Sequence, residues 1–232
     1  MVLRVTTNQH EPTHNHMIRT SLASLLFGGL LLTVTSCNTP PSSGTNTEGT
    51  TPETTTQTDP TAPSTTTTQR GENYTVTTLD TTIKSPRKEL RGTVDGVAVT
   101  VNYGSPSVNQ RTIYGDLVPY GKVWRTGANE ATRITFDQAV RVGSEGTELP
   151  AGTYSLFTQP ADRDNWTVIF NKTAEQWGAY DYDEGQDQAR VTATATALSS
   201  PAEQMDFALE GNEVVLMWSD LKVGFPVQAA AK

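Results

Sequence analysis

Hydrophobic and polar positions follow two regimes along this chain, and the change comes near residue 73. From Asn73 onward the pattern has a period of two. Val97, Val99, Val101 and Tyr103 alternate with Ala98, Thr100 and Asn102, as in a strand with one buried face. Asp95-Gly96, between this run and the run 90–94, is a two-residue hairpin signal, because both positions accept a left-handed backbone. Short strands are predicted over 134–136, 139–142, 153–158 after the turn Pro150-Ala151-Gly152, and 166–171. Val191, Ala193, Ala195 and Ala197 then alternate with Thr192, Thr194 and Thr196. Met205, Phe207 and Leu209 alternate again, Gly211-Asn212 makes a turn, and Val214 to Trp218 is a continuous apolar run suited to a central strand. The pattern ends near Val227. Only 172–177 suits a helical turn, and there is no internal repeat. Roughly nine or ten short strands without helices predict an all-β fold, a two-sheet antiparallel sandwich, with a jelly roll or partly closed barrel as the alternative.

One stretch inside this region breaks the alternation. Residues 111–132, RTIYGDLVPYGKVWRTGANEAT, hold Gly115, Pro119, Gly121 and Gly127 together with Tyr114, Tyr120, Trp124, Arg125, Asn129 and Glu130. Binding groups concentrate on such loops. A second irregular stretch, 176–183, carries Trp177, Tyr180, Asp181, Tyr182 and Asp183.

Upstream of residue 73 nothing reads as a packed element. From Met17, MIRTSLASLLFGGLLLTVTSC has the order of a secretory signal: Arg19, an apolar run from Leu22 to Val34, then small residues. A spanning helix needs about twenty apolar residues, and this run is shorter. Val34-Thr35-Ser36-Cys37 resembles the bacterial lipobox, which assigns 1–36 to a lipoprotein signal peptide, with Met17 as an alternative start, and makes Cys37 the acylated N-terminus. At about 0.8 kcal/mol per buried methylene, several fatty chains, palmitate among them, anchor a protein durably to a membrane without crossing it. Asn38 differs from the inner-membrane retention signal of enteric bacteria, which favours the outer membrane of the cell envelope. Residues 37–70 contain no large apolar side chain and are rich in Thr and Pro, so a disordered tether is expected, then a domain over 71–228 and a short tail at 229–232.

Composition narrows the chemistry. The 232 residues carry a formal charge of −8, and without the leader's Arg4, Arg19 and Glu11 the balance is 15 basic against 24 acidic residues, or −9. Nucleic acid is excluded as an expected partner. All three histidines (His10, His14, His16) precede the only cysteine, so residues 38–232 offer neither imidazole nor thiol. Ser-His-Asp and Cys-His catalysis and His/Cys metal sites are thereby excluded from that region, and no phosphate loop or dinucleotide motif appears. No cofactor is expected.

Carboxylates, oxygen-ligated cations and aromatic surfaces remain. Glu130 with Asp181 or Asp183, or with Glu175, is a candidate acid–base pair for glycan hydrolysis. The simpler reading pairs Glu130 with Arg125 to pin the loop. Asp181, Asp183 and Asp187 alternate as in calcium loops but lack the closing Glu, so a solvated acidic turn is favoured and no metal is assigned. Tyr114, Tyr120, Trp124, Trp177 and Tyr180, with Arg125, Asn129, Glu130 and Asp181, are candidates for a sugar-binding face, against the alternative that the rings fold inward as plugs. Binding is favoured over catalysis, with a glycan or an envelope protein as the partner; a structural subunit of an envelope assembly is the third reading.

KSPR at Lys84 to Arg87, the motif from Arg111 to Thr132, LPAGTYSLFT from Leu149, WTVIFN from Trp166 and QWGAYDYD from Gln176 together resemble the domain-of-unknown-function family numbered twenty-nine eleven, over nearly all of 75–227. The resemblance implies an exported, single-domain, β-rich protein of Bacteroidetes-type bacteria. It implies no activity and no catalytic residue.

Overall fold

The computed structural model describes residues 66–231, the side chains from residue 71 onward. The expected signal peptide, the lipidation of Cys37 and most of the tether lie outside these residues.

Eleven strands form among the described residues: β1 Thr66–Arg70, β2 Tyr74–Asp80, β3 Arg87–Val94, β4 Val97–Gly104, β5 Thr132–Phe136, β6 Val140–Val142, β7 Thr147–Leu149, β8 Gly152–Pro160, β9 Asn165–Asn171, β10 Asp187–Glu210 and β11 Glu213–Ala229. Every pairing is antiparallel, in the order β1-β2-β3-β4-β5-β8-β9-β10-β11-β6-β7. The all-β antiparallel class expected from the alternation is therefore the class observed. The hydrogen-bonded ladder is one continuous sheet, not closed into a barrel, and it doubles over its own core.

The long strands make that doubling possible. β10 pairs with β9 over 187–194, and its pairing with β11 is interrupted between Ala197 and Ala202 and again between Ala202 and Asp206. Such irregularities bend a strand and increase its twist. As a result β3 and β4 face the far half of β10 across the interior, with Tyr103 set edge-on to Phe207 at 4.9 Å between ring centroids. Trp166, Trp218, Tyr103, Phe136, Phe170 and Phe207 are all fully buried. At about 1.5–3 kcal/mol per large side chain, such a core can hold the fold together without the disulfide that residues 38–232 cannot form.

Local signals explain several boundaries. The β3–β4 hairpin turns on Asp95 and Gly96 at φ 48° and 76°, the left-handed pair the dipeptide favours. Val191, Ala193 and Ala195 are buried while Thr192, Thr194 and Thr196 face solvent. Three features depart from expectation. β1 occupies residues 66–70, inside the stretch expected as tether. Residues 172–177 form no helical turn; a single 3-10 turn falls at Glu184–Gln186, where Asp183 caps by accepting from Gly185 N. The runs 191–198 and 205–209 are one strand, with Pro201 inside the interval between Ala197 and Ala202 where the β10–β11 register breaks. Among the described residues no helix is long and apolar enough to cross a membrane, which says nothing of strand-built spans.

Candidate functional site

The connection from β4 to β5 contains the first irregular segment, and it is stitched to three strands. Ser105 Oγ donates to Met205 O at 2.6 Å, Met205 N to Pro106 O at 2.9 Å, and Val108 N to Glu203 O at 2.8 Å, which fixes its start on β10. Farther on, Trp124 and Thr158 exchange backbone bonds of 2.8 and 2.9 Å, and Gly121 N donates to Pro160 O at 2.7 Å, which fixes its middle on β8. Its end folds under β4: Ala128 N donates to Gly104 O at 3.3 Å. A Cβ on Gly104 would stand 2.2 Å from Ala128 O, so only glycine permits that approach.

The second irregular segment joins the first. Glu130 and Trp177 form an antiparallel bridge, and Ala131 N donates to Gln176 O at 3.0 Å. A methyl group at Gly178 would lie 3.7 Å from Arg125 Nη1, so the guanidinium runs beside this loop. The stretches that the strand pattern left over are thus neighbours in space.

Between the first of them, the segment before β3 and Trp218 of β11 lies a cavity of about 330 Å³, lined by Lys84, Arg111, Trp124, Arg125, Asn129 and Trp218 among others, with no Asp or Glu in its wall and no residue of 176–183. Trp124 stacks on Trp218, with centroids 5.8 Å apart and planes 19° apart. Arg125 Nε and Trp218 Nε1 are buried without a hydrogen-bond partner. Buried donors are seldom left unmatched, because each costs about 1–3 kcal/mol.

Backbone strain gathers at the same place. Of the six non-glycine residues with positive φ among the described residues, five line the cavity or adjoin a residue that does: Asn109, Gln110, Thr126, Asn129 and Ser219. Thr126, β-branched and at φ 54°, is held by bonds from its hydroxyl to Trp124 O and to Thr158 Oγ1, while its carbonyl accepts from Thr132 Oγ1 at 2.7 Å. Conformations of this kind cost about 1–3 kcal/mol each and persist where surrounding structure enforces them.

The sequence candidates divide three ways. Trp124, Arg125 and Asn129 line the cavity. Trp177 and Tyr180 stand out beside it, at 58% and 82% exposure. The rest, Asp181 apart, serve structure. Tyr114 is an inward plug, edge-on to Trp166 at 5.3 Å with its hydroxyl donating to Trp218 O, and burial raises its phenol well above the usual range. Tyr120 folds over Gly115. Tyr182 packs edge-on against Phe157; burial, and then its bond to Asp187, push its hydroxyl up to about 12.

The expected Arg125–Glu130 ion pair is not formed. Glu130 Oε2 lies 2.7 Å from Arg87 Nη1 instead, because the bridge to Trp177 places Glu130 beside the start of β3. Asp183 is the cap of the 3-10 turn, and Asp187 accepts from Asn171, Tyr182 and Arg190. Asp181 is exposed and makes no hydrogen bond or ion pair. Among the described residues no cluster of three or more His, Cys, Asp or Glu is arranged to hold a metal ion.

Lys84, Arg111 and Trp218 were not among the site candidates. Arg111 opens the irregular stretch, and Lys84 lies in the KSPR motif, so both were visible without a role. Trp218 looked like pure core, and the one hint was the polar Ser219-Asp220 that ends its apolar run.

A family model described as protein of unknown function (DUF2911) matches residues 85–227, which takes in both loops and every cavity residue named above except Lys84. No curated protein and no solved structure matches.

Proposed function

We propose a function from one premise: the chain belongs to the DUF2911 family, whose description carries no activity, so the site must supply the reading. The protein is a lipid-anchored module of the bacterial cell envelope that recognises a glycan on the face where the 111–132 and 176–183 loops meet. The observation that carries this is Trp177 and Tyr180. They are the two most exposed large apolar side chains of the described residues, on a loop bridged to the 111–132 segment through Trp177 and Glu130, while Tyr114 and Tyr182 pack inward. Exposed aromatic faces of this kind stack on sugar rings, and their side chains have few rotamers to lose.

Recognition is a better reading than glycan hydrolysis. Glu130 is tied to Arg87, Glu175 to Arg133 and Asp183 to its turn, which leaves Asp181 as the one uncommitted member of the proposed acid–base set. The leader, Cys37 and the Thr-rich tether support an envelope location, with the acyl group as the membrane partner.

A glycan array tests the reading. The wild-type chain binds a subset of glycans, and Trp177→Ala/Tyr180→Ala loses that binding with an unchanged thermal melt, since neither ring is buried. Equal binding by both proteins contradicts it.

A further inference from the structure

Beside the exposed aromatic pair, three cations converge on a cavity that has no acid, and we propose that this cavity binds the oxyanion substituent of an acidic sugar, a carboxylate or a sulfate ester. The inference rests on the glycan reading above and adds the ligand's charge to it.

With a formal balance of −8, carboxylates outnumber cations, and Arg87, Lys88, Arg91, Arg133, Arg163, Arg190 and Lys222 each have a carboxylate partner. Of the described cations without one, Lys84, Arg111, Lys122, Arg125, Arg141 and Lys172, half line this cavity: Lys84, Arg111 and Arg125. Arg111 is held in place by donating to the carbonyls of Val108 and Ser107. Of the acids near the rim, Glu203 accepts from Asn109 N at 2.9 Å and Asp220 is paired with Arg163. Three unpaired like charges around one space repel one another unless an anion enters.

The donors and the shape point the same way. Two residues of the lining, Arg125 and Trp218, each carry a buried donor nitrogen without a hydrogen-bond partner, Nε and Nε1. Guanidinium groups present paired donors that suit a carboxylate or sulfate. A volume of about 330 Å³ is at the lower end for small-molecule sites and suits one sugar ring. The stacked Trp124–Trp218 pair offers that ring an apolar wall. Arg125, which lines the cavity and also runs beside Gly178, links it to the Trp177–Tyr180 loop, so one oligosaccharide can occupy both.

The test is calorimetric titration of the full chain, purified in detergent, with glucuronate, glucose 6-sulfate, glucose and inorganic sulfate. Both acidic sugars are expected to bind at least about tenfold tighter than glucose, and to weaken severalfold as salt rises from about 0.05 to 0.3 M. Arg125→Gln is expected to lose about tenfold or more in affinity for the acidic sugars. Lys84→Gln removes an exposed side chain that makes no hydrogen bond or ion pair, so the fold does not depend on it, and it is expected to lose about threefold for the acidic sugars. Equal affinity for glucose and glucuronate, no binding of either acidic sugar, or wild-type affinity in both variants would overturn the proposal. Inorganic sulfate matching the acidic sugars would also overturn it, since the ring would then contribute nothing. If Trp177→Ala/Tyr180→Ala keeps acidic-sugar binding, the aromatic reading fails and the cavity stands; if only Arg125→Gln keeps it, the cavity fails and the aromatic face stands.

Discussion

Asp206 is the residue whose removal should be felt most widely in the fold. Its Oδ1 accepts from Lys88 Nζ at 2.6 Å and from the Tyr103 hydroxyl at 3.0 Å, between β3, β4 and β10 where the sheet doubles over itself. The Lys88 and Asp206 side chains are 4% and 12% exposed, so water cannot replace either partner. In Asp206→Ala the ammonium keeps only Gln204 Oε1 at 3.4 Å. Stranding one partner of a buried pair costs about 3–5 kcal/mol, roughly a fifth or more of the stability of an ordinary domain. Tyr103→Phe, which removes one bond to a charged group, should cost about 1.5–3 kcal/mol. Lys88→Met/Asp206→Leu should recover most of the single-mutant loss, because apolar pairs of similar volume replace buried ion pairs at little cost. Urea unfolding followed by tryptophan fluorescence gives all three numbers. A loss below about 1 kcal/mol for Asp206→Ala would refute the claim that the two layers are pinned by this network.

Three further outcomes follow from the geometry. Gly104→Ala drives a methyl group into Ala128 O, so denaturant titration should show a loss of about 1–3 kcal/mol or more, together with weaker ligand binding as the loop shifts. Asp162 and Asp80 are held below the usual carboxylate range by hydrogen bonds, chiefly from the Asn165 and Thr82 side chains, and Glu145 by Thr192. Their stabilisation is present above the ordinary values near pH 4 and is lost as pH falls through the folded-state values, so a melting temperature that holds from about pH 4 down to 2 would contradict it. At the other extreme, Tyr182 is raised to about 12, and burial raises Tyr103 and Tyr114 as well. Their stabilisation is complete below the unfolded value near 10 and declines as pH rises toward 12; Tyr182→Phe should shallow that alkaline limb in circular-dichroism melts.

The strands were legible wherever a local rule decided them. Asp95-Gly96 dictates its hairpin through left-handed φ, and the Val191–Ala195 alternation dictates which face of β10 turns inward. The runs 191–198 and 205–209 read as separate alternations, yet one strand carries both, because a register break around Pro201 spares proline the hydrogen bond it cannot give. The site was legible as two irregular stretches but not as a cavity. Lys84 and Trp218 belong to distant parts of the chain, and only the path of β4, β8 and β10 brings them to Arg125. Glu130 shows the same limit. Its neighbour in sequence suggested Arg125 as a partner, whereas the bridge to Trp177 delivers it to Arg87.

The central claim is that the two loops form one recognition site with the cavity behind them, and the four tryptophans report on it directly. Two-dimensional nitrogen–proton NMR resolves the indole signals of Trp124, Trp166, Trp177 and Trp218 during titration with glucuronate. Trp124 and Trp218, stacked together in the cavity wall, should move most, with Trp177 following. Trp166, whose Nε1 already donates to Arg163 O at 3.1 Å, should stay in place. Movement of Trp166 alone, or of none of the four, would contradict the account.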